Sequence, residues 1–111
     1  MIPLLKYRDS IGNTLEVKFI LGSMYFVVTD KIGRFVHCVF LGNRAREFVR
    51  ILSGNERTEV LDKGDDIMCF QPFKGGGFGI IIDSKGMSKG CTIDRQQTEE
   101  LINWCQKIHK F

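Results

Sequence analysis

The stretch LEVKFILGSMYFVVTDKIGRFVHCVFLGNRAREFVRIL, residues Leu15 to Leu52, decides how the rest of the chain reads. Leu15, Val17, Phe19 and Leu21 fall on one face and Thr14, Glu16, Lys18 and Ile20 on the other. Period-two alternation is the pattern of a half-exposed strand in an antiparallel sheet. Gly22-Ser23 reads as a two-residue hairpin turn with glycine first, as a type II′ turn requires. Met24 to Asp30 is aromatic and β-branched and predicts the next strand. Asp30-Lys31-Ile32-Gly33 closes a further hairpin, with Gly33 free to take positive φ. Arg34 to Leu41 is a third strand, with Val36, Cys38 and Phe40 on one face and Phe35, His37 and Val39 on the other. Asn43 suits a helix N-cap. Ala45, Phe48, Val49 and Leu52 then make one helical stripe, and Gly54 is read as the left-handed residue that ends it.

The chain then says the same thing again. An ungapped slide of 53 residues lays Met68 to Cys105 under this stretch. Gly22 meets Gly75, Asp30 meets Asp83, Gly33 meets Gly86, Cys38 meets Cys91 and Glu47 meets Glu100, strand over strand and helix over helix. A repeat at fixed period points to a fold built from copies of one unit. Short strands at Leu4 to Arg8 and Thr58 to Leu61 open the two units. In the second unit Pro72 interrupts the run from Ile67 to Lys74, which argues for an edge or a bulge. Phe78 to Asp83 and Ser88 to Ile93 supply two more strands. Asp94 caps a last helix whose stripe is Leu101, Trp104, Cys105 and Ile108. The fold expected is one α+β domain over 1–111, with unit one at 1–54 and unit two at 55–111. Each pseudo-symmetric ββββα unit forms an antiparallel sheet, and its helix packs on the same side as the other.

The 111 residues fit one domain and carry a net charge of +3. That balance permits a polyanionic partner without demanding one. No apolar run is long enough to span a bilayer and no secretory signal is read, so the expectation is an intracellular protein without a membrane. Cys38, Cys69, Cys91 and Cys105 show no C-x-x-C spacing and read as reduced, buried thiols. His37 and His109 have no metal-like spacing to other ligands, so no metal and no cofactor is expected. Gly75-Gly76-Gly77-Phe78-Gly79 leads into a strand rather than a helix, which argues against a phosphate loop and for a flexible hairpin. No carboxylate pair or serine elbow is present, and the chain does not read as an enzyme.

The functional signal is a sheet surface that is too aromatic for water. Opposite the helix stripes lie Lys18, Ile20, Tyr25, Phe35 and His37 in unit one and Gln71, Phe73 and Phe78 in unit two. Turns and strand ends add Lys31, Arg34, Lys74, Lys85 and Lys89. Exposed aromatics flanked by cations form a stacking platform for single-stranded nucleic acid. The alternative is a protein-interaction or dimerisation module using the same face.

Two stretches carry a family resemblance. Tyr25-Phe-Val-Val-Thr-Asp-Lys-Ile-Gly-Arg-Phe-Val resembles a strand–turn–strand of the Pur family, an aromatic followed by K-x-G-R-F. Ile93-Asp-Arg-Gln-Gln-Thr-Glu-Glu-Leu resembles the final strand and helix entry of those proteins and their Whirly-like relatives. Unit two departs from the pattern, with Met87 in place of Arg34 and Ser88 in place of an aromatic. The resemblance implies ββββα units, duplicated or dimerised, whose curved sheets bind single-stranded DNA or RNA; the exposed sheet face also admits a homodimer as partner.

Overall fold

The computed structural model describes residues 2–110. Unit one contributes β1 (Leu5–Arg8), β2 (Thr14–Ile20), β3 (Ser23–Thr29), β4 (Phe35–Leu41), a 3₁₀ turn (Gly42–Arg44) and α1 (Ala45–Ser53). Unit two contributes β5 (Thr58–Leu61), β6 (Ile67–Pro72), β7 (Phe78–Ser84), β8 (Met87–Ile93) and α2 (Arg95–His109). The strands form two four-stranded antiparallel meanders, β1-β2-β3-β4 and β5-β6-β7-β8. This is the α+β, twice-ββββα architecture that the alternation and the helix stripes imply.

Core formation follows the apolar faces. Leu15, Val17, Met24, Phe26, Val28, Val36, Cys38 and Phe40 of sheet one are buried, as are Met68, Phe70, Phe78, Ile80, Ile82, Cys91 and Ile93 of sheet two. They share one cluster with Ala45, Phe48 and Leu52 of α1 and Leu101, Trp104, Cys105 and Ile108 of α2. Phe48 ties the units together. Its ring meets Phe26 edge-on at 5.5 Å and Phe40 at 4.8 Å, and lies 5.7 Å from Phe70 of the other sheet. Trp104 sets its ring edge against Phe26 at 6.4 Å, and its indole N–H donates to the Pro3 carbonyl at 2.7 Å. All four cysteines are free and buried, and burial pushes the Cys38, Cys91 and Cys105 thiols up to about 12. They stay protonated at neutral pH and act as small apolar fillers.

A reciprocal pair of aspartates joins the two sheets. Oδ1 of Asp9 accepts the backbone N–H groups of Ile11, Gly12 and Asn13, and Oδ1 of Asp62 accepts those of Gly64 and Asp66. Each then reaches the free edge of the other unit: Oδ2 of Asp9 accepts from Thr92 N–H, and Oδ2 of Asp62 from Val39 N–H. Asp9 and Asp62 lie 53 residues apart, as do Val39 and Thr92. The edge strands β4 and β8, whose unpaired N–H groups invite aggregation, are thereby partly closed.

Several local expectations are corrected. Ile20 pairs with Ser23, so the β2–β3 turn is Leu21-Gly22 rather than Gly22-Ser23. Both turn residues have positive φ (51° and 82°), the signature of type I′ rather than II′. Leu21 therefore points into solvent instead of continuing the apolar face. Asn43 does not cap α1, because the 3₁₀ turn intervenes and the cap position falls on Arg44, with no side-chain bond. Gly54 ends α1 with extended backbone, φ −93° and ψ −172°. Asp94 does cap α2, in a reciprocal capping box with Gln97. Pro72 is the last residue of β6 and lies past the end of β5, whose pairing stops at Phe70, so no partner misses its N–H.

The larger correction concerns the repeat itself. Unit one joins β2 to β3 by two residues and β3 to β4 by five; unit two joins β6 to β7 by five and β7 to β8 by two. Cross-strand pairs fix the consequence. Val17 pairs with Phe26 and Phe26 with Cys38, whereas Phe70 pairs with Ile80 and Ile80 with Cys91. The second and fourth strands correspond at 53, but the third corresponds at 54. A one-residue slip moves every side chain of a strand to the other face.

Candidate nucleic-acid interface

Register places four rows across the outer face of sheet one. They read Arg8–Thr14–Thr29–Phe35, Lys6–Glu16–Val27–His37, Lys18–Tyr25–Val39 and Ile20–Ser23–Leu41. Adjacent members of a row have neighbouring side chains. Four of the expected residues, Lys18, Tyr25, Phe35 and His37, thus share one face. Phe35 is 60% exposed, and the His37 ring sits 6.5 Å from it at 37°. Tyr25 is half-buried between Lys18 and Val39. Lys18 Nζ lies 3.7 Å from Glu16, so its charge is shared with a neighbour on the same face.

The loop between β3 and β4 stands at the Phe35 end. Lys31 is exposed there, and Arg34 Nε bonds Asp30 Oδ2 at 3.0 Å. Asp30 Oδ2 also receives Lys89 Nζ at 2.8 Å. The Lys89 ammonium, with bonds from Arg34, holds the Asp30 carboxyl well below the usual carboxylate range. Lys89 is consequently a structural cation and not a surface one. Its side chain is only 10% exposed, because it occupies the inward position that Val36 fills in unit one. Phe78 is the second correction. The displaced register turns it inward, 3% exposed, beside Pro72 and Ile93.

Unit two therefore lacks the aromatic face. Its outer surface carries Glu59, Cys69, Gln71, Gly79, Ile81, Asp83, Gly90 and Thr92. Phe73 is 43% exposed and belongs to the β6–β7 loop, where its ring covers Gly79. Lys74 is exposed on that loop and Lys85 at the β7–β8 turn. The three-glycine run is explained by packing: a Cβ on Gly77 would sit 2.5 Å from the Ile93 carbonyl, and one on Gly76 3.2 Å from the Arg95 side chain. The run lets the loop close on the β8–α2 junction.

Three cations of the sheet-one surroundings escaped the sequence reading. Lys6 and Arg8 project from the outer face of β1, opposite Glu16 and Thr14. Their alternation with Leu5 and Tyr7 carried that signal. Lys63 comes from unit two and donates its backbone N–H to the Val39 carbonyl at 3.4 Å. No local pattern announces it, since only the inter-unit Asp62 contact brings it to β4.

Among the described residues, no three His, Cys, Asp or Glu side chains are placed to hold a metal ion. No helix is long and apolar enough to cross a membrane. No protein-family model matches the chain, and no curated protein matches it.

Proposed function

We propose that this chain is a binding module for single-stranded DNA or RNA, working inside the cell in the manner of the Pur family and catalysing no reaction. The supporting observation is the outer face of sheet one, where Phe35 and His37 lie exposed and Tyr25 half-buried among Lys6, Arg8, Lys18 and Lys31, with the Lys63 backbone joined to the edge of β4. Bases stack on the rings, and the cations take phosphates. A duplex keeps its bases inside and offers nothing to these rings. The test is titration of a labelled single strand and its duplex at about 50 mM salt, where phosphate contacts are strongest. The single strand should bind more tightly. Phe35→Ala should weaken it by about 1–3 kcal/mol with the salt slope unchanged, as expected for a lost stacking contact. Absence of single-strand binding sinks the proposal.

A second reading rests on one end of the same face. Ile20 is 45% exposed, Leu41 53% and Leu21 99%, which makes a local apolar edge suited to a second copy of the chain. A solution mass twice that of one chain, together with no single-strand binding, would favour it.

A further inference from the structure

Three of the grooves among the described residues differ in charge. The groove between the C-terminal end of α1 and the β6–β7 loop has Lys74 and Arg95 but also Glu99. A second, along α1, has Arg50 but also Glu47 and Glu56. The third, about 640 Å³, is formed by Phe19, Gly22, Leu41, Gly42, Asn43, Arg46, Ile108 and His109. Among the described residues its lining contains Arg46 and His109 and no Asp or Glu. Arg46 has no ion-pair partner among the described residues. Leu41 is both a wall of this groove and the last outer-face residue of β4. The row Phe35, His37, Val39, Leu41 therefore runs straight to the groove's mouth, over about 20 Å at 3.3 Å per residue.

We infer that this groove is the exit track of the bound single strand: a strand laid along β4 turns past Leu41 and sets a backbone phosphate against Arg46 and His109. The inference rests on the single-strand reading of the sheet-one face and adds direction and a terminal phosphate site to it. Two features carry it. One is charge: the Arg46 guanidinium, with no Asp or Glu beside it in the described lining, makes this the groove a polyanion enters with least repulsion. The other is continuity with the aromatic row. The helix side chain Arg46 would then serve the same ligand as the strand residues, through the fold's own contact between the 3₁₀ turn and the end of α2.

The probe is a fluorescein-labelled twelve-residue oligothymidylate, titrated from about 50 to 200 mM salt. Arg46→Gln should weaken binding about fivefold at the low end and make the salt slope shallower by about 0.7, the value for one phosphate contact to a single strand. Arg46→Lys should restore most of the slope. Arg57→Gln, whose guanidinium is held by Glu59 at 2.8 Å, controls for the loss of one positive charge anywhere. Circular dichroism confirms that each variant is folded. If the parent binds and Phe35→Ala weakens it, but Arg46→Gln behaves as Arg57→Gln does, the groove is not on the track and the face reading stands. If the parent does not bind the oligothymidylate at all, the face reading and the track fall together.

Discussion

The outer faces of the two sheets come from matching strands of a repeated unit, yet they have opposite characters. Sheet one shows Tyr25, Phe35 and His37 among cations, while sheet two shows Gly79, Gly90, Ile81, Glu59 and Asp83. The difference traces to a trade of loop lengths. Unit one spends its two-residue turn before the third strand, and unit two spends it after. The third strand of unit two is thereby displaced by one position, which carries Phe78 from the surface into the core. A duplicated unit can in this way keep its fold and core on both sides while confining an exposed aromatic face to one. The same trade lets the long β3–β4 loop of unit one bring Asp30 to Lys89 of unit two, so the asymmetry is also part of what joins the units.

The strongest way to break this comparison is to truncate the two phenylalanines that an ungapped repeat treats alike. Phe78→Ala empties a buried ring site and should cost about 3–5 kcal/mol in urea denaturation. Phe35→Ala removes an exposed ring and should change stability by less than about 0.5 kcal/mol. Equal costs would mean that both rings face the same way and that the register displacement is wrong.

These two residues also show what was legible beforehand. Strand alternation in Leu15–Leu21 and Arg34–Leu41 exposes the inward faces of unit one, and the helix stripes and Asp94 cap follow from spacing alone. The β7 sequence Phe78-Gly-Ile-Ile-Ile does not alternate, so nothing local assigns its faces, and an ungapped slide transfers the wrong parity from Tyr25. Lys89 was readable: it lies two residues before Cys91, on the same face as a cysteine already matched to inward Cys38. Its charge argued for the surface and concealed the parity. Only the arrival of Asp30 from the other unit makes a cation tolerable there.

That inter-unit pair gives a smaller, pH-dependent effect. Asp30 has its pKa depressed in the folded chain, first by Lys89 and further by bonds from Arg34 and the backbone. A depressed carboxylate contributes stability that is present above its unfolded pKa, near 4, and is lost as pH falls through the folded value. The melting temperature should accordingly fall as pH is lowered from about 5 towards 2. Lys89→Met should lower the melting temperature at neutral pH and flatten that acid limb. An acid limb of unchanged steepness in the variant would mean that Lys89 does not reach Asp30, and would return it to the surface that unit two otherwise lacks.

The smallest effect tests the turns that trade places. Leu21-Gly22 and Lys85-Gly86 both have positive φ at each residue, 51° and 82° in one and 53° and 81° in the other. They are one turn type placed at different junctions. A left-handed conformation costs an ordinary L-residue about 1–2 kcal/mol, and asparagine tolerates it better. Leu21 is 99% exposed, so replacing it forfeits no burial. Leu21→Asn and Lys85→Asn should therefore each stabilise the chain by about 0.5–1 kcal/mol, read as matched rises in the urea midpoint at constant slope. A gain at Lys85 alone would show that Leu21 makes a contact in solution that the isolated chain does not provide. Since Leu21 follows Ile20, which shares an outer-face row with Leu41, that outcome would favour a second copy seated on the apolar end of sheet one, and solution mass measured for Leu21→Asn against the parent would decide it.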